Sequence, residues 1–289
     1  MKKILITGRG SYLGNSLKAY LEAFGNHYRV DCVSLRSGDW MEQSFRGYDA
    51  VYHTAAIVHQ PRSKTDPGEL ARYRAVNRDL AVAAAKKAKA EGVRQFVFLS
   101  TMAVYGLTAA FGETVTITAQ TPTVPTDNYG LSKLEAERAL LALEGPDFRV
   151  AILRPPMIYG KDCKGNFRSL VSFARRLPFF PKVPNQRSML YVGSLNRLVQ
   201  QIIDREDRGI FCPQDPEYVN TSAMVQAIAA AQGKHLVLVP GFSWAFHLLR
   251  HLTGAVDKAF GSLVYDKSLS KLEEDYRIAS FPDSVNMSL

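Results

Sequence analysis

The sequence is short of cysteine and of long apolar runs. Its 3 cysteines, Cys32, Cys163 and Cys212, are too few and too scattered for a disulfide framework or a zinc site. We therefore predict reduced thiols, no metal centre and a cytoplasmic protein. No apolar stretch approaches the ~20 residues of a transmembrane helix. The apolar run behind the first lysines stops at Thr7, so neither a signal peptide nor an integral membrane segment is predicted.

Acidic residues are fewer than basic ones. The 289 residues contain 36 Lys and Arg against 27 Asp and Glu, a formal charge of +9. This excess favours an anionic partner, such as a nucleotide diphosphate, a nucleic acid or an anionic membrane surface. No dense block of basic residues with interleaved aromatics is present, which argues against nucleic acid. The length suffices for one large domain or two small ones with a core.

Glycines follow the first apolar run directly. Residues 3–7 are predicted to form a buried strand, and Gly8, Gly10 and Gly14 come next. Apolar residues at helical spacing then begin after Asn15. A strand, a glycine turn and a helix in this order let the backbone approach a pyrophosphate at the helix N-terminus. The pattern predicts a dinucleotide site here.

The end of the second predicted strand, residues 28–35, lacks an acidic residue. An NAD enzyme places Asp or Glu there for the ribose 2′-hydroxyl, whereas this chain has Arg36. Arg36 and Arg9 could bind a 2′-phosphate through charge-assisted hydrogen bonds. This favours NADP(H) over NAD, with Arg36 as an ordinary surface residue the alternative. Gly38 follows so soon that the helix between strands two and three is expected to be missing or reduced.

The remaining pattern alternates between strands and helices. Apolar runs predict strands over residues 49–56, 95–101 and 148–154, and helical spacing predicts helices over 69–91, 129–143 and 221–233. Residues 107–128 are expected to form a long loop, and the proline-bearing segment 178–184 is expected to be irregular. Residues 242–260 have apolar side chains at helical spacing. They predict either an amphipathic helix on a membrane surface or a helix packed on a second lobe.

Tyr129 and Lys133 carry the expected chemistry. Side chains four residues apart lie on one face of a helix. A lysine ammonium near a phenol lowers its pKa from about 10 toward the working pH. Such a tyrosine can act as general acid/base in an alcohol–carbonyl interconversion. A hydroxyl from Thr101 or Ser100, at the end of the preceding strand, would bind the same carbonyl oxygen.

Five segments in register carry a family resemblance. These are residues 7–14, 53–56, 100–106, 129–133 and 154–160. Together they resemble the extended short-chain dehydrogenases/reductases, and more closely the nucleotide-sugar epimerase/dehydratase branch. The resemblance implies an α/β fold with a Rossmann-type doubly wound parallel sheet and a smaller C-terminal substrate-binding lobe. Residues 1–160 and 187–212 would form the dinucleotide-binding domain, and residues 161–186 and 213–289 the lobe.

The resemblance also implies roles for individual residues. Tyr129 would be the acid/base, Lys133 its partner on the nicotinamide ribose, and Thr101 the accompanying hydroxyl. The implied cofactor-binding residues are Gly8, Arg9, Gly10, Ser11, Tyr12, Leu13, Gly14, Arg36, Asp39, Trp40, Ala55, Ala56, Asn77, Ser100 and Pro155. The implied substrate-binding residues are Met102, Met157, Asn166 and Arg187. Arg187 would grip the nucleotide diphosphate.

Three departures from the family pattern narrow the reaction. Ser11 replaces the middle glycine of the phosphate turn, which suggests a slightly reshaped loop. Met102 and Ala103 replace the Asp-Glu pair of 4,6-dehydratases, which argues against dehydration. Met157 replaces an asparagine of galactose epimerases, which argues against simple UDP-galactose epimerisation.

The expected function is reduction of a UDP-4-keto-6-deoxy-hexosamine with NADPH in polysaccharide biosynthesis. An NAD-dependent UDP-hexose 4-epimerase is the alternative, and a non-catalytic dinucleotide-binding protein a remote one. By resemblance, a homodimer could form through the helices around residues 70–91 and 129–143.

Overall fold

The chain forms two compact units in the computed structural model. The structure describes residues 1–58, 67–163, 165–249 and 255–289. Unit 1 comprises Met1–Gly106, Pro122–Pro155 and Asn196–Cys212. Unit 2 comprises Leu107–Thr121, Pro156–Leu195 and Pro213–Leu289. Each unit is therefore assembled from three separate stretches of chain.

Short strands and helices alternate along both units. The strands are β1 Lys2–Thr7, β2 Tyr28–Val33, β3 Ala50–His53, β4 Gln95–Leu99, β5 Thr114–Ile117, β6 Arg149–Leu153, β7 Met157–Tyr159, β8 Phe179–Pro181, β9 Met189–Tyr191, β10 Gly209–Phe211, β11 Val237–Val239 and β12 Ser262–Tyr265. The α-helices are α1 Tyr12–Glu22, α2 Pro67–Tyr73, α3 Leu80–Ala90, α4 Asn128–Leu141, α5 Asn166–Arg176, α6 Val192–Arg205, α7 Thr221–Ala231, α8 Ser243–Leu249, α9 Ala255–Phe260 and α10 Phe281–Asn286.

A parallel sheet is the centre of unit 1. Within the described residues six strands lie in the order β10-β6-β4-β3-β1-β2, and every neighbouring pair is parallel. The predicted Rossmann-type α/β fold is therefore confirmed. The strand order reverses between β1 and β3, because β2 lies on the far side of β1. Open α/β sheets bind their ligands beyond the carboxyl ends of the strands at such a switch point.

Helices cover both faces of this sheet. Leu5 belongs to one apolar cluster with Phe96, Phe98 and the buried alanines of α3. Those alanines (Ala81, Ala84, Ala85, Ala88) recur at helical spacing and allow α3 to approach the sheet closely. On the opposite face, α1 packs so closely that a Cβ on Gly14 would lie 2.9 Å from Ile6 Cγ2. The sheet is therefore doubly wound, as the sequence predicts.

Two connections in unit 1 differ from an uninterrupted βαβ pattern. Between β2 and β3 the chain has only a 3₁₀ turn, Gly38–Met41, as predicted. The predicted continuous helix over residues 69–91 is instead α2, a π-helical turn at Arg74–Asp79, and α3. Asn77 lies in that turn with a fully buried side chain. Single π turns inside helices occur often at functional sites.

Unit 2 contains paired strands where loops were predicted. β5, inside the predicted loop 107–128, pairs with β12, and β8, inside the proline-rich segment 178–184, pairs with β11. Both loop predictions are wrong at these positions. Proline lacks the N–H that a strand donates to its neighbour. In a two-stranded sheet each strand has one unpaired edge, and a proline whose nitrogen faces that edge breaks no hydrogen bond between strands. The carbonyl of Pro178 still accepts from Val237 N at 3.1 Å.

Residues 242–260 form two helices, α8 and α9, and residues 250–254 lie outside the described part of the chain. The ring centroids of Phe246 in α8 and Phe260 in α9 lie 4.8 Å apart. This side of α8 is therefore packed within unit 2, as the second of the two predictions expects. Two other side chains of α8 remain exposed, Trp244 at 72% and Leu248 at 62%. Over the described ranges, no helix combines the length and apolarity needed to cross a bilayer.

We predict that Gly106→Ala destabilises the protein more than Gly47→Ala. Both glycines have positive φ, +65° and +79°, and a side chain in that conformation costs about 1–2 kcal/mol. A Cβ at Gly106 would also lie 1.9 Å from Val124 O, whereas nothing lies within 4 Å of one at Gly47. Urea unfolding should give a loss of about 3 kcal/mol or more for Gly106→Ala. Equal losses for the two variants would contradict this account.

Candidate active site

The glycine turn after β1 is packed against the end of β3. The amides of Gly8 and Arg9 both donate to Val33 O, at 2.9 and 3.0 Å. Gly8 has φ +119°, and a Cβ there would lie 2.8 Å from Ala55 N. Only glycine suits this position. The turn is held at the switch point of the sheet.

Ser11, in place of the expected glycine, caps the N-terminus of α1. Ser11 is the N-cap of α1, and its hydroxyl accepts from Gly14 N at 3.3 Å. Gly10 has φ +84°, and nothing lies within 4 Å of a Cβ built on it. The first turn of α1, with Tyr12 and Leu13, directs its positive dipole end toward this turn. This cradle fits the pyrophosphate of a dinucleotide.

The two arginines predicted to bind cofactor follow β1 and β2. Arg9 and Arg36 are exposed, and Leu35, which precedes Arg36, is buried. Asp39 is exposed in the 3₁₀ turn, but the Trp40 side chain belongs to the core with Phe45. Two exposed guanidinium groups therefore follow the ends of the neighbouring strands β1 and β2.

Asn77 holds the chain after β3. Its amide oxygen accepts from Ile57 N at 2.9 Å, and its amide nitrogen donates to Ile57 O and to Ser132 Oγ, both at 3.1 Å. The half-buried Ala55 and Ala56 precede this clamp. The Asn77 side chain is thus engaged with protein groups, and its predicted contact with cofactor stays a prediction.

Helix α4 brings Tyr129 to Thr101. Asp127 caps the helix by accepting from Gly130 N at 2.7 Å. A Cβ on Gly130 would lie 2.6 Å from Ala103 O, so the close approach of α4 to the 3₁₀ turn after β4 needs glycine here. The hydroxyls of Tyr129 and Thr101 are hydrogen-bonded as a result. The predicted catalytic tyrosine and hydroxyl are together.

Lys133 points at the end of β4. It is 2% exposed, and its Nζ donates to Leu99 O at 2.8 Å and lies 4.5 Å from the ring centroid of Phe98. Burial lowers the pKa of Lys133 to about 7, and the nearby charge of Glu137 acts in the opposite direction. The Lys133 nitrogen therefore lies buried at the carboxyl end of β4, beside the Phe98 ring.

The expected lowering of the Tyr129 pKa does not occur in this structure. Burial raises the pKa of Tyr129 to about 12, the hydrogen bond with Thr101 opposes the rise, and the charge of Asp127 adds to it. The prediction that Lys133 lowers this pKa is wrong for the protein chain alone. The Lys133 ammonium donates to Leu99 O, and desolvation of the phenol dominates. At neutral pH the phenol holds its proton and can donate it.

A buried ion pair lies behind the catalytic helix. Glu137 is 1% exposed, and Arg154 Nε and Nη2 bind its carboxylate at 3.1 and 2.6 Å. Ser100 Oγ also hydrogen-bonds Glu137, so this predicted cofactor residue faces the ion pair. Arg154 Nη1 donates to Tyr105 OH at 3.0 Å.

Sequence reasoning missed the pairing of Glu137 with Arg154. The available signal was that Glu137 follows Lys133 by one helical turn, on the same face. A second indication was an arginine that ends an otherwise apolar strand.

The other predicted site residues are distributed over both units. In unit 1, Met102 N donates to Pro155 O at 2.9 Å, which joins the chain after β4 to the chain after β6. In unit 2, Met157 begins β7 and pairs with Met189, and Asn166 begins α5 and is exposed. Arg187 Nη1 donates to Gly261 O at 3.4 Å, and burial lowers the pKa of its guanidinium.

Comparison with known proteins agrees with this geometry. The model of the NAD dependent epimerase/dehydratase family matches residues 4–178. A UDP-glucose 4-epimerase from Vibrio cholerae is 31% identical over 294 residues, which cover 93% of this chain and 89% of that protein.

Two solved structures share the fold. A UDP-glucuronic acid 4-epimerase from Bacillus cereus in complex with NAD has a TM-score of 0.72 at 16% identity, covering 99% of this chain and 94% of its own. A dTDP-4-dehydrorhamnose reductase from Bacillus anthracis in complex with NADP has a TM-score of 0.72 at 17% identity, covering 100% and 99%. The resemblance seen in the sequence is thus confirmed, and the chain belongs to the NAD-dependent epimerase/dehydratase family, enzymes of the extended short-chain dehydrogenase/reductase type.

Proposed function

We propose that the protein is an NADPH-dependent reductase that acts at C4 of a nucleotide-linked 4-keto-sugar, a UDP-4-keto-6-deoxy-hexosamine. The observation that carries the proposal is the pair of exposed arginines, Arg9 after β1 and Arg36 after β2, together with the absence of a carboxylate from residues 34–38. Guanidinium groups bind phosphate oxygens in pairs of charge-assisted hydrogen bonds. An NADPH that binds and leaves in each cycle fits a reductase.

NADPH, when bound, supplies the hydride. The turn at Gly8–Gly10 and the start of α1 would hold its pyrophosphate, Arg9 and Arg36 its 2′-phosphate, and Lys133 its nicotinamide ribose. Tyr129 would donate its phenolic proton to the C4 oxygen as the alkoxide forms. The pKa of about 12 supports this direction, because the phenol begins the reaction protonated.

Thr101 and Lys133 would assist that proton transfer. The hydroxyl of Thr101, hydrogen-bonded to Tyr129, is placed to bind the same sugar oxygen and to orient the phenol. A protonated Lys133 would stabilise the negative charge that Tyr129 acquires when its proton leaves. Since these groups sit on α4 and at the end of β4, rigid elements define their positions.

The roles of the two units form part of the proposal. Unit 1 would bind the dinucleotide, and unit 2 would bind the nucleotide sugar through Arg187, with Met157 and Asn166 as further contacts. An arginine suits the diphosphate of a nucleotide sugar because its planar fork matches phosphate oxygens. We further propose a cytoplasmic homodimer, formed through the helices around residues 70–91 and 129–143, that serves polysaccharide biosynthesis.

A 4-epimerase is the second candidate. The Vibrio cholerae relative, which covers nearly the whole chain, favours it. An epimerase would oxidise C4 first and return the hydride, so it would retain a tightly bound NAD. A non-catalytic dinucleotide-binding protein is disfavoured by the presence of Tyr129, Lys133 and Thr101 together.

The dinucleotide distinguishes the two reactions. The purified protein would be denatured, any released dinucleotide identified, and the emptied protein titrated with NADPH and NADH. A protein that is empty and prefers NADPH, and that oxidises NADPH when given a UDP-4-keto-6-deoxy-hexosamine, supports the reductase. Release of stoichiometric NAD, with interconversion of UDP-hexose C4 epimers, would replace that proposal with the epimerase.

We predict that Arg36→Ala raises the Kd for NADPH about tenfold, the cost of one charge-assisted hydrogen bond to phosphate. The Kd for NADH should stay unchanged, because NADH lacks the 2′-phosphate. Arg46→Ala is the matched control, since Arg46 is an exposed arginine of the same unit. Fluorescence titration of the wild type and both variants with NADPH and NADH measures the six constants. A parallel loss for NADPH and NADH would remove Arg36 from the 2′-phosphate site.

Tyr129→Phe should lower kcat by about 10²–10⁴, because it removes the general acid. NADPH affinity should change less than about twofold, since the phenol is not proposed to hold the dinucleotide. Tyr48→Phe, which removes a hydroxyl bonded to Asp31, is the control and should retain activity. Steady-state kinetics and NADPH titration test both variants, and normal turnover by Tyr129→Phe would refute the role.

The pH dependence of kcat/KM should report the protonation state of Lys133. We expect kcat/KM for reduction to fall as pH rises through about 7, where Lys133 loses its proton, well before Tyr129 ionises. Because the Glu137 carboxylate raises the pKa of Lys133, Glu137→Gln should move the fall to lower pH. A profile that is flat from roughly pH 6 to pH 9, or a shift to higher pH, would contradict this assignment.

Glu137→Gln should also lower the free energy of unfolding by about 3–5 kcal/mol, because it leaves Arg154 buried without its carboxylate. Glu135→Gln is the matched control on the same helix. Glu135 pairs with Arg74 and Arg78 near the surface, where such pairs contribute about 0–1 kcal/mol. Urea unfolding of both variants provides the comparison. Similar losses of unfolding free energy in the two variants would show that the buried Glu137–Arg154 pair contributes no more to stability than the pairs of Glu135 near the surface.

A further inference from the structure

A second tyrosine packs against Tyr129 in unit 1. Tyr73 is the last residue of α2 and is 5% exposed. Its ring centroid lies 6.4 Å from that of Tyr129, with the two ring planes 62° apart. Aromatic pairs favour such edge-to-face arrangements at centroid separations of about 4.5–7 Å. Because the Tyr129 side chain is itself only half-buried, the Tyr73 ring removes a further part of its surface from water.

The hydroxyl of Tyr73 binds the chain that follows β3. It donates to Val58 O at 3.3 Å. Four residues after Tyr73, Asn77 binds the neighbouring Ile57 through two hydrogen bonds, one to its N–H and one to its carbonyl. Two side chains from one segment therefore hold two successive residues of the chain that carries the predicted cofactor contacts.

The segment after α2 is also bound to α4. Arg74 and Arg78 both form ion pairs with Glu135, and Asn77 Nδ2 donates to Ser132 Oγ at 3.1 Å. This segment is the π-helical turn, so its side chains follow a wider helical path than those of an α-helix. These contacts hold the segment against α4, and they define where the tyrosine that precedes it can lie.

The ring of Tyr73, more than its hydroxyl, acts on Tyr129. The hydrogen bond to Val58 O is long, and Val58 is 65% exposed, so a water molecule can replace it. The two bonds from Asn77 to Ile57 would still hold the chain after β3. The buried ring has no such substitute, because its removal leaves space that water or the Tyr129 ring would fill.

The protonation of the phenol depends on this packing. Burial is the largest cause of the raised pKa of Tyr129, about 12; the hydrogen bond with Thr101 opposes the rise, and Asp127 and Tyr73 add to it. The Lys133 nitrogen, on the same helix, lies at the end of β4. A ring that keeps water from the phenol therefore helps to keep it protonated before the reduction begins.

We propose that Tyr73 is a positioning residue for Tyr129, whose ring fixes the orientation in which the phenol exchanges its proton with the C4 oxygen and shields the phenol from water. The proposal rests on the proposed function only in taking Tyr129 as the acid/base, a role that the reductase and the 4-epimerase share. Tyr73 contacts no reacting atom in this account, and it acts through the Tyr129 ring.

Turnover by variants tests the orientation of the phenol. Tyr73→Ala should lower kcat about tenfold, the order expected from one lost aromatic pair. The Kd for NADPH should change less than about threefold, because Asn77 still binds Ile57. Tyr73→Phe keeps the ring and should restore kcat to within about twofold of the wild-type value. Tyr20→Ala is the matched control: Tyr20 packs edge-to-face on Phe24 at a centroid separation of 5.3 Å, and its loss should leave kcat unchanged.

A titration of the Tyr129 phenol needs no substrate. Protein labelled with ¹³C at the phenolic carbon of tyrosine contains 13 labelled sites, and the signal that disappears in Tyr129→Phe is that of Tyr129. At about pH 10.5, just above the ordinary pKa of tyrosine, Tyr129 should stay protonated in the wild type and in Tyr73→Phe. In Tyr73→Ala it should be partly ionised, because water beside the phenol lowers the pKa that burial raises.

Three results would overturn the proposal. They are wild-type kcat and titration in Tyr73→Ala, an equal loss of kcat in Tyr73→Phe and Tyr73→Ala, and an equal loss in Tyr20→Ala. If Tyr73→Ala does not fold, Tyr73→Leu takes its place, and wild-type behaviour of that variant decides against the role. If the protein turns over no keto-sugar, the reductase proposal fails, while the titration still decides whether Tyr73 acts on Tyr129.

Discussion

The candidate active site depends on a buried salt bridge between Glu137 and Arg154. Glu137 belongs to the same helix as Tyr129 and Lys133, and Arg154 ends the strand β6 beside them. Opening this pair would leave a charge in the interior, which is far more costly than losing an exposed ion pair. Helix α4 therefore cannot slide along the sheet, and the phenol of Tyr129 stays at the end of β4. Ser100 and Tyr105 bind the same pair and hold the adjoining loop.

The central sheet and the phosphate turn could be predicted because their signals are local. Continuous apolar runs identified β1, β3, β4 and β6, glycines directly after β1 identified the phosphate turn, and helical spacing identified α4. β5 and β8 could not be found in this way, because β5 alternates over only four residues within a Thr- and Pro-bearing segment and β8 is three residues that end in a proline. Their existence depends on partners distant in the chain, β12 and β11. The π-helical turn at Asn77 likewise depends on a contact with Ile57 that no local pattern encodes.

Side-chain environment explains the remaining differences. Sequence spacing correctly placed Tyr129 and Lys133 on one helical face, yet it does not tell how much water reaches each group. Burial changes the pKa of the two in opposite directions, upward for the phenol and downward for the ammonium. Ser100 illustrates the same limit. Its position at a strand end suggested a cofactor contact, which stays a prediction, and nothing in the sequence indicated that its hydroxyl also bonds a carboxylate from the next helix.

The discontinuous build of unit 1 has a consequence for synthesis on the ribosome. Five strands of its sheet are complete once residue 153 has emerged, but the edge strand β10 is residues 209–211. Until then the outer backbone edge of β6 lacks its neighbour. An open strand edge invites pairing with another nascent chain. The long interval between β6 and β10 is thus the period in which this protein most needs protection from aggregation, for example by a chaperone.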